Sequence, residues 1–484
     1  MEKQKVTKEK WLIIIFAIIL AIICFHIFLT GMYSKDTERI FIQGYTEYAT
    51  KDAYIRDGRL FSAIIFVLIG LINPSIKVLY IIDLVISLVI LSLCVLKIEQ
   101  FIERYKKTEN IKNKIITFIL SFLYIFNFLM VDIAKFIDNF IICASIFLFL
   151  LSLENILIKN NKKIGFILAL IGVFCYQGTI PMYIATAILI TLLKNKKIDK
   201  EYFKKILPCA VIIILATLIN FIIVCIVPII TNLPLTNRLE NSLINKIIYN
   251  IKDVIDLLFN TFYLFPRYAW ATISLIIIII SYGYTVKNKN NTFFYVLFVF
   301  LSYILSIFVM LPMNVLERTT LPIGESISAM LIYMYCTCEF ENKNKFIKNS
   351  LLIVLIAYFI LNVYSIINST YQLKRANQLD FEFSKKIENK IEECEENDQK
   401  ITKISLKYTG KSDNYKKEHP LTIQDSLYTS GLYGKEMYKF YTGKEIEREK
   451  NFSDEFAEKN FDMETDEEVQ MKAIEDTLYI LINF

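Results

Sequence analysis

The sequence predicts an all-α polytopic membrane protein that ends in a small α/β domain. Of its 484 residues, 55% are hydrophobic, and the mean hydropathy is +0.45. Soluble domains average about 45–50% apolar residues. Runs of Ile, Leu and Phe recur between lysine clusters and stop near residue 368. A single soluble core would not need repeated apolar runs of about 20 residues, the length that crosses a bilayer. We therefore expect a membrane domain over residues 1–368 and a soluble, extracytoplasmic domain over residues 369–484.

The charges are divided unevenly between these two predicted domains. Residues 369–484 contain 18 basic and 25 acidic residues, a net charge of −7, so the rest of the chain carries +13 out of the total of +6. The basic excess lies in short loops, which is typical of the cytoplasmic loops of membrane proteins. Nucleic-acid binding explains it poorly, because the sequence has no basic helix and no aromatic platform motif.

The lysine clusters predict which ends of the apolar runs face the cytoplasm. Met1–Lys10 contains four lysines, and the apolar run after it is longer than the core of a signal peptide, so we expect a cytoplasmic N-terminus. If all five later lysine loops are cytoplasmic, the spans between them come in pairs. Leu60–Ile72 is short and precedes Asn73-Pro74, so we expect an interfacial or re-entrant helix there. About 11 crossings result. Their expected ranges are Trp11–Met32, Ile76–Leu96, Ile115–Val131, Phe140–Ile158, Ile164–Cys175, Pro181–Leu193, Ile206–Ile230, Trp270–Val286, Thr292–Leu311, Ser326–Phe340 and Ile347–Ile367.

The tail has the pattern of a small α/β domain. Tyr371–Asp398 is rich in Lys and Glu, with apolar residues at helical spacing. Ile401–Tyr408 alternates as a strand does, and Leu478–Phe484 has the composition of a second strand. The tail contains no catalytic motif, so a structural cap or a glycan-binding surface is its expected role.

The candidate functional residues lie in the predicted outer segments. The first segment, Tyr33–Arg59, holds five acidic and five basic residues. Its Asp36 stands just beyond the first span, where partial desolvation would raise the basicity of a carboxylate and suit it to general-base catalysis. Asp138, at the start of the fourth span, would share this work or help to hold a divalent cation such as Mg²⁺ or Mn²⁺. One guanidinium group can donate two parallel hydrogen bonds to the oxygens of a phosphate. The candidate phosphate contacts are Arg39, Arg59 and Arg318.

Histidine chemistry and zinc binding are poorly supported by the composition. The two histidines are His26, inside the first apolar run, and His419, in the tail. Most of the nine cysteines lie inside apolar runs, and Cys336 and Cys338 have no second pair at the spacing of a zinc site.

Four motifs in order carry a resemblance to a known family. The first is D-x-x-R-x-x-x-x-G-Y followed by G-R, which comprises Asp36, Arg39, Gly44, Tyr45, Gly58 and Arg59. The others are Phe136-Ile137-Asp138-Asn139, Tyr176-Gln177 after a short apolar helix, and Arg318 in a late outer loop. Over roughly residues 11–370 the chain resembles the bacterial serotype-converting glucosyltransferases of Gtr type II, which have the C-type glycosyltransferase architecture.

The resemblance implies transfer of a hexose, often glucose, from a polyprenyl-phosphate sugar to a cell-surface polysaccharide. The reaction would occur on the outer face of the bacterial cytoplasmic membrane, by direct displacement with inversion at the anomeric carbon. Asp36 would be the base or acceptor-orienting carboxylate and Asp138 the second acid. Arg39, Arg59 and Arg318 would hold the donor phosphate, and Tyr45, Tyr176 and Gln177 would contribute to substrate binding.

Two alternatives share the expected membrane topology. One is a transporter or flippase for a lipid-linked glycan, and the other is a polysaccharide polymerase. Transport is disfavoured because the sequence has no internal repeat of the kind found in many transporters, and because its polar residues cluster in outer segments.

Overall fold

The structure, a computed structural model, describes residues 8–106, 110–232, 247–252, 254–255, 266–311, 317–338, 345–409, 434–449, 451–463, 465, 467 and 469–483. Contacts divide the chain into two compact units. The first contains the chain up to Leu29 together with Tyr45–Ile367, and the second contains Thr30–Gly44 and the chain from Asn368 onwards. Residues 30–44, which we assigned to the membrane domain, therefore belong to the compact unit formed by the tail.

The first unit is built of helices. In chain order they are α1 (Lys8–Phe25), α3 (Leu60–Ile72), α4 (Ile76–Tyr105), α5 (Ile111–Ile125), α6 (Met130–Ala134), α7 (Asn139–Leu153), α8 (Lys162–Cys175), α9 (Ile180–Asn195), α10 (Lys200–Thr231), α11 (Arg267–Asn288), α12 (Thr292–Ser306), α13 (Leu321–Thr337) and the first part of α14 (Lys345–Glu396). Helix α2 (Lys35–Gln43) belongs to the second unit.

Eight helices in the described part of the chain are long and apolar enough to cross a membrane. Their ranges are Glu9–Thr30, Ile76–Tyr105, Asn139–Ile158, Gln177–Asn195, Lys200–Thr231, Tyr268–Asn288, Thr292–Met310 and Lys345–Glu396. This architecture is compatible with the predicted helical membrane protein. The other three expected crossings are the shorter helices α5, α8 and α13, of 15, 14 and 17 residues. The expected short helix is present over Leu60–Ile72.

Helices α7 and α8 form a close hairpin that positions the site. Gly172 lies against the ring of Phe149, because a Cβ atom on this glycine would stand 2.6 Å from Phe149 Cε1. Across the same seam, Ser145 Oγ donates a hydrogen bond to the carbonyl of Gly172 at 2.8 Å. Small residues and interhelical hydroxyl bonds allow such close packing where water provides no driving force. The hairpin brings Asp138, which precedes α7, and Tyr176, which follows α8, to the same end of the first unit.

The second unit contains a four-stranded sheet of order β2-β1-β4-β3. Its strands are β1 (Lys403–Tyr408), β2 (Glu447–Arg448), β3 (Val469–Ile474) and β4 (Thr477–Ile482), accompanied by α15 (Gly434–Thr442) and α16 (Asp454–Asn460). β1 runs parallel to β4, with Lys403 opposite Thr477, and β3 pairs antiparallel with β4. Buried residues of α14 such as Ile387 pack with Ile404 and Ile480 of the sheet. The two strands expected from the sequence are confirmed at β1 and β4.

Candidate active site

Five of the eight candidate site residues meet in the first unit. They join neighbouring charged and aromatic residues in what we call the two-arginine cluster. Its members are Tyr54, Asp57, Arg59, Asp132, Lys135, Phe136, Asp138, Tyr176, Gln177 and Arg318. The cluster lies at the end of the α7–α8 hairpin, beside the first residues of α3.

Arg59 is the cation on one side of the cluster. Its side chain is only 10% exposed, and its terminal nitrogens lie 3.8 Å from Asp57 Oδ2 and 3.9 Å from Asp138 Oδ2. These distances exceed a hydrogen bond, so the pairing is electrostatic. Burial lowers the pKa of Arg59, but the interactions with Asp57, Tyr176 and Asp138 raise it by a larger amount. The pKa of Arg59 is therefore raised above its usual value. The guanidinium is therefore charged. Arg59 Nε is buried and has no hydrogen-bond partner among the described residues.

Tyr176 connects the two arginines. Its ring centre lies 4.7 Å from the guanidinium carbon of Arg59, a cation–π contact, and its hydroxyl accepts a 2.9 Å hydrogen bond from Arg318 Nε. Gly178 packs beneath this ring, since a Cβ atom there would stand 2.4 Å from Tyr176 Cε1. One tyrosine thus presents its face to one cation and its hydroxyl to the other.

Arg318 is held on the other side by Asp132 and Phe136. The backbone amide of Arg318 donates to Asp132 Oδ2 at 3.1 Å, and the guanidinium lies 4.4 Å from the ring centre of Phe136. Lys135 Nζ stands 2.5 Å from Asp132 Oδ1. Burial raises the pKa of Asp132, but Lys135 and Arg318 lower it by more, so its pKa is below the usual range. Asp132 is therefore an ionised carboxylate that balances two cations.

Asp138 faces the cluster from the start of α7. Its Oδ2 accepts a 3.1 Å hydrogen bond from the hydroxyl of Tyr54, and its residue as a whole is 8% exposed. Tyr54 is fully buried, with its ring edge-on to Phe66 at 4.9 Å. A carboxylate held by a phenol and near a guanidinium is oriented, which is what a base or an acceptor-orienting group requires.

Gln177 joins the cluster to helix α10. Its Nε2 donates to the carbonyl of Asp57 at 2.9 Å and to Asn220 Oδ1 at 3.1 Å. Asn220 Nδ2 in turn donates to the carbonyl of Gly58 at 2.6 Å. Gln177 Oε1 is buried with no hydrogen-bond partner within the described ranges. This amide ladder fixes the loop that carries Asp57 and Arg59.

An apolar groove begins at this amide ladder. It has a volume of about 590 Å³ and is formed mainly by α9 and α10. Its lining is apolar along most of its length, and Asp57, Gln177 and Asn220 provide the polar groups shared with the ladder. An apolar cavity with a few polar groups is typical of a ligand site. At its polar end the groove is lined by Asp57, whose Oδ2 lies 3.8 Å from a terminal nitrogen of Arg59.

The remaining candidates have other surroundings. Tyr45 is buried in the first unit, where its hydroxyl donates to the carbonyl of Pro74 at 2.7 Å, and burial raises the pKa of Tyr45 to about 12. Tyr45 therefore anchors the loop to the end of α3. Asp36 and Arg39 lie, partly exposed, on α2 in the second unit.

Helix α2 is held within the second unit by Tyr33. Asn377 accepts a hydrogen bond from the amide of Tyr33 at 2.8 Å and donates one to its carbonyl at 3.1 Å. The ring of Tyr33 meets Phe440 edge-on at 4.5 Å. These contacts determine the compact unit to which Asp36 and Arg39 belong.

The residues described do not form a cation site. No group of three or more His, Cys, Asp or Glu residues that could hold a metal ion occurs among them. Asp132 already neutralises Lys135 and Arg318, and Asp138 faces Tyr54 and Arg59. The donor set therefore does not fit a protein-held Mg²⁺ or Mn²⁺ ion, and no step below is assigned to a metal.

Sequence reasoning missed several members of this arrangement. Tyr54 and Asn220 were not singled out, and Asp57 was counted only as one charge of its segment. Asn220 had a usable signal, since it is an amide within the long apolar helix α10, and polar groups inside such helices are costly and usually functional. Tyr54 had none, because its partner Asp138 lies 84 residues away.

Comparison with known proteins adds no family to these observations. No protein-family model, no curated protein and no solved structure matches the chain.

Proposed function

We propose that this protein is a membrane-bound hexosyltransferase. It would transfer a sugar, glucose being the first candidate, from a polyprenyl-phosphate donor to a cell-surface polysaccharide or glycopolymer acceptor. The reaction would take place on the outer face of the bacterial cytoplasmic membrane, with the C-terminal domain also outside. The resemblance to the Gtr type II glucosyltransferases and the geometry of the two-arginine cluster both support this function.

The observation that carries the proposal is the groove that begins at the cluster. A lipid-linked sugar has a long hydrocarbon chain, an anionic phosphate and a polar sugar in series. The first unit offers a matching series: an apolar groove along α9 and α10, the amide ladder at Gln177, and the charged guanidinium of Arg59. A soluble sugar nucleotide would not need the apolar part of this series.

The charges of the cluster fit a phosphate leaving group. Arg59 and Arg318 flank Tyr176, and such guanidinium groups stabilise the negative charge that develops on phosphate oxygens. In the proposed step, the acceptor hydroxyl oxygen bonds to the anomeric carbon while the bond from that carbon to the phosphate oxygen breaks. The electron pair leaves with the phosphate, and the hydroxyl proton passes to a carboxylate.

Two carboxylates are proposed for this proton transfer. Asp138 lies in the cluster, where Tyr54 orients it and Arg59 is 3.9 Å away. Asp138 is proposed to be the second acid, which orients the acceptor hydroxyl. The proposed role of Asp36 as base, and of Arg39 as a phosphate contact, is supported by the resemblance alone. Testing Asp36→Asn and Asp138→Asn separately distinguishes the two carboxylates.

The test is a transfer assay with the purified protein in lipid nanodiscs. The protein is supplied with polyprenyl-phosphate glucose and an acceptor glycan, and the release of polyprenyl phosphate is measured. We expect release that requires the acceptor and falls by about 100-fold in Asp138→Asn, because loss of a positioned acid or base group costs this much. Release that is absent from the wild-type protein with every hexose tried, or unchanged in both carboxylate variants, would refute the proposal.

The transporter alternative is favoured by one observation. Glu325 on α13 is 1% exposed, and its Oε2 has no hydrogen-bond partner among the described residues. An ionisable residue inside a membrane span often marks a transport or proton pathway. A Glu325→Gln variant decides between the two functions. Two results together would favour the transporter. The wild-type protein would move a lipid-linked glycan into proteoliposomes without acceptor-dependent release of polyprenyl phosphate, and the Glu325→Gln variant would not move it.

A further inference from the structure

We infer that Asp83 is a positioning residue that keeps Asp138 directed towards the two-arginine cluster. Asp83 lies on α4, 1% exposed, and was not a candidate in the sequence. The inference rests on the proposed function insofar as Asp138 is assigned a role in transfer. Its geometric part, the direction of the Asp138 carboxylate, can be tested separately.

The first turn of α7 has an unusual cap. Asp138 occupies the N-cap position, where an Asp side chain normally accepts a hydrogen bond from a backbone amide of the first turn. The side chain of Asp138 makes no such bond. Instead, the amide of Phe140, two residues into the helix, donates to Asp83 Oδ1 at 3.1 Å. The cap of α7 is therefore supplied by a carboxylate from the neighbouring helix.

Because Asp83 supplies the cap of α7, the Asp138 side chain can take part in the two-arginine cluster. Its Oδ2 instead accepts from Tyr54 at 3.1 Å and lies 3.9 Å from Arg59. If Asp83 did not bond to Phe140, the orphan amide would attract the nearest acceptor, which is the N-cap side chain itself. Asp138 would then rotate away from Tyr54. Asp83 thus acts on the site through the orientation of another residue.

Further contacts hold Asp83 in place for this role. Ser87, one turn further along α4, donates to the Asp83 carbonyl at 2.7 Å and also contacts Asn139 Oδ1. Tyr80, one turn earlier, donates to the carbonyl of Ala134 at 2.7 Å. Residues on α4 therefore form hydrogen bonds with the chain on both sides of Asp138. Asp83 Oδ2 is buried and has no hydrogen-bond partner in the described ranges.

The test compares Asp83→Ala, Asp83→Asn and the control Ser92→Ala. Ser92 is buried on the same helix, but in the part of the chain that the structure describes its hydroxyl bonds only within α4, to the carbonyl of Leu88. Asn retains an oxygen that can accept from the Phe140 amide, whereas Ala does not. We expect Asp83→Ala to lower the turnover number by about 100-fold, the scale of a misplaced catalytic group, with little change in the KM for the donor. Asp83→Asn and Ser92→Ala should stay within about threefold of the wild type, since geometry is preserved.

A structure of the Asp83→Ala protein separates this inference from the proposed function. We expect cryo-electron microscopy to show the Asp138 carboxylate on the Phe140 amide and away from Tyr54. An Asp138 carboxylate still bonded to Tyr54 would overturn the inference, whether or not the protein transfers sugar. Normal turnover in Asp83→Ala would overturn it too, as would equal losses in Asp83→Ala and Asp83→Asn, because the charge rather than the cap would then matter. If Asp83→Ala does not fold, an Asp83→Asn structure in which Asp138 has left Tyr54 overturns the inference, and one in which it remains there supports it.

Discussion

The guanidinium carbon of Arg59 lies 4.7 Å from the ring centre of Tyr176. The same ring carries the hydroxyl that accepts from Arg318. Tyr176 therefore contacts both cations, one through the face of its ring and the other through its hydroxyl. In the proposed function, the two guanidinium groups would bind the oxygens of the donor phosphate.

Replacing Arg59 should lower the activity, and it should do so more when both the charge and the planar group are removed than when the charge is kept. Arg59→Lys keeps the charge but removes Nε and the planar group that lies over Tyr176. We expect Arg59→Lys to lower kcat/KM for the lipid donor by at least about tenfold, and Arg59→Gln by about 100-fold or more, since buried charge-assisted hydrogen bonds are worth about 1.5–3 kcal/mol. Transfer assays at several donor concentrations measure both values.

Arg375→Lys is the matched control for this pair. Arg375 belongs to the second unit and is partly exposed, with its Nη1 3.1 Å from Glu382 Oε1. Such surface pairs contribute about 1 kcal/mol or less, so activity should not change. Equal activity of Arg59→Lys and the wild-type protein would contradict the assignment of Arg59 to the donor phosphate.

Tyr176→Phe isolates the hydroxyl from the ring. The variant keeps the aromatic face beneath Arg59 but removes the acceptor for Arg318 Nε. We expect a loss of about 1.5 kcal/mol in transition-state stabilisation, the scale of one charge-assisted hydrogen bond. In a double-mutant cycle, Arg318→Lys added to Tyr176→Phe should cost clearly less than it does in the wild type, because the shared bond is already absent. Strictly additive losses would show that the two residues act independently.

Most helices of the first unit and two strands of the second can be predicted from the local pattern of apolar and polar residues. Each expected crossing overlaps a helix, because a run of apolar residues between lysine clusters specifies a helix without reference to the rest of the chain. Leu60–Ile72 was also expected, since Asn73-Pro74 ends the run. The strands β1 and β4 were expected from alternation and composition. The count of crossings is harder, because α5, α8 and α13 are shorter than 18 residues.

The site depends on contacts that local pattern does not encode. Tyr33–Arg59 is one polar segment in the sequence, yet its first part joins the second unit through the bonds between Tyr33 and Asn377, which are 344 residues apart. Asp83 meets Phe140 across 57 residues, and Gln177 meets Asp57 across 120. Charged residues could be identified as candidates, but which of them share one cluster required the packed helices.

The ion pairs of Asp132 should make stability depend on pH. The folded protein lowers the pKa of Asp132, so its ionised form contributes stability above the unfolded pKa of about 4, and this contribution is lost as pH falls through the folded value. Asp132→Asn leaves two half-buried cations without the carboxylate that they share and should cost about 1–3 kcal/mol near neutral pH. Thermal unfolding in detergent, from about pH 7 to about pH 3, should show the difference between the two proteins shrinking below about pH 4.

An exposed aspartate provides the control for the pH series. Asp454 has a side chain that is 90% exposed, and it pairs with Lys407 at the surface of the second unit. Asp454→Asn should follow the wild-type curve at every pH. A constant gap between Asp132→Asn and the wild type across the whole series would contradict the lowered pKa.

Gly58 should tolerate no side chain. Its φ of +72° favours glycine, and a Cβ atom there would stand 2.5 Å from Val224 Cγ2 and 2.8 Å from Asn220 Nδ2. Gly58→Ala should therefore push α10 away from the loop that carries Asp57 and Arg59, lowering both stability and transfer. Gly443→Ala is the control, since Gly443 has a similar φ of +75° but nothing within 4 Å of the position of a Cβ atom. Both variants should lose about 1 kcal/mol to backbone strain, and only Gly58→Ala should lose more. Equal unfolding temperatures would show that the close approach to α10 does not matter.

The membrane topology predicts where the tail lies. The eight long apolar helices alone would place both ends of the chain on the same side, whereas eleven crossings place them on opposite sides. Helices α5, α8 and α13 therefore decide the outcome. With lysine loops inside, we expect α5, α8 and α13 all to cross, because lysine-rich loops are retained in the cytoplasm.

Reporter fusions measure this directly. Alkaline phosphatase, which is active only outside the cytoplasm, should be active when fused after Phe484. It should be inactive when fused within the lysine loop after Lys197, at the end of α9. Green fluorescent protein at the same two positions should give the opposite pattern. A fluorescent, phosphatase-inactive tail would contradict the expected eleven crossings, because an even number of crossings after a cytoplasmic N-terminus leaves both ends of the chain in the cytoplasm.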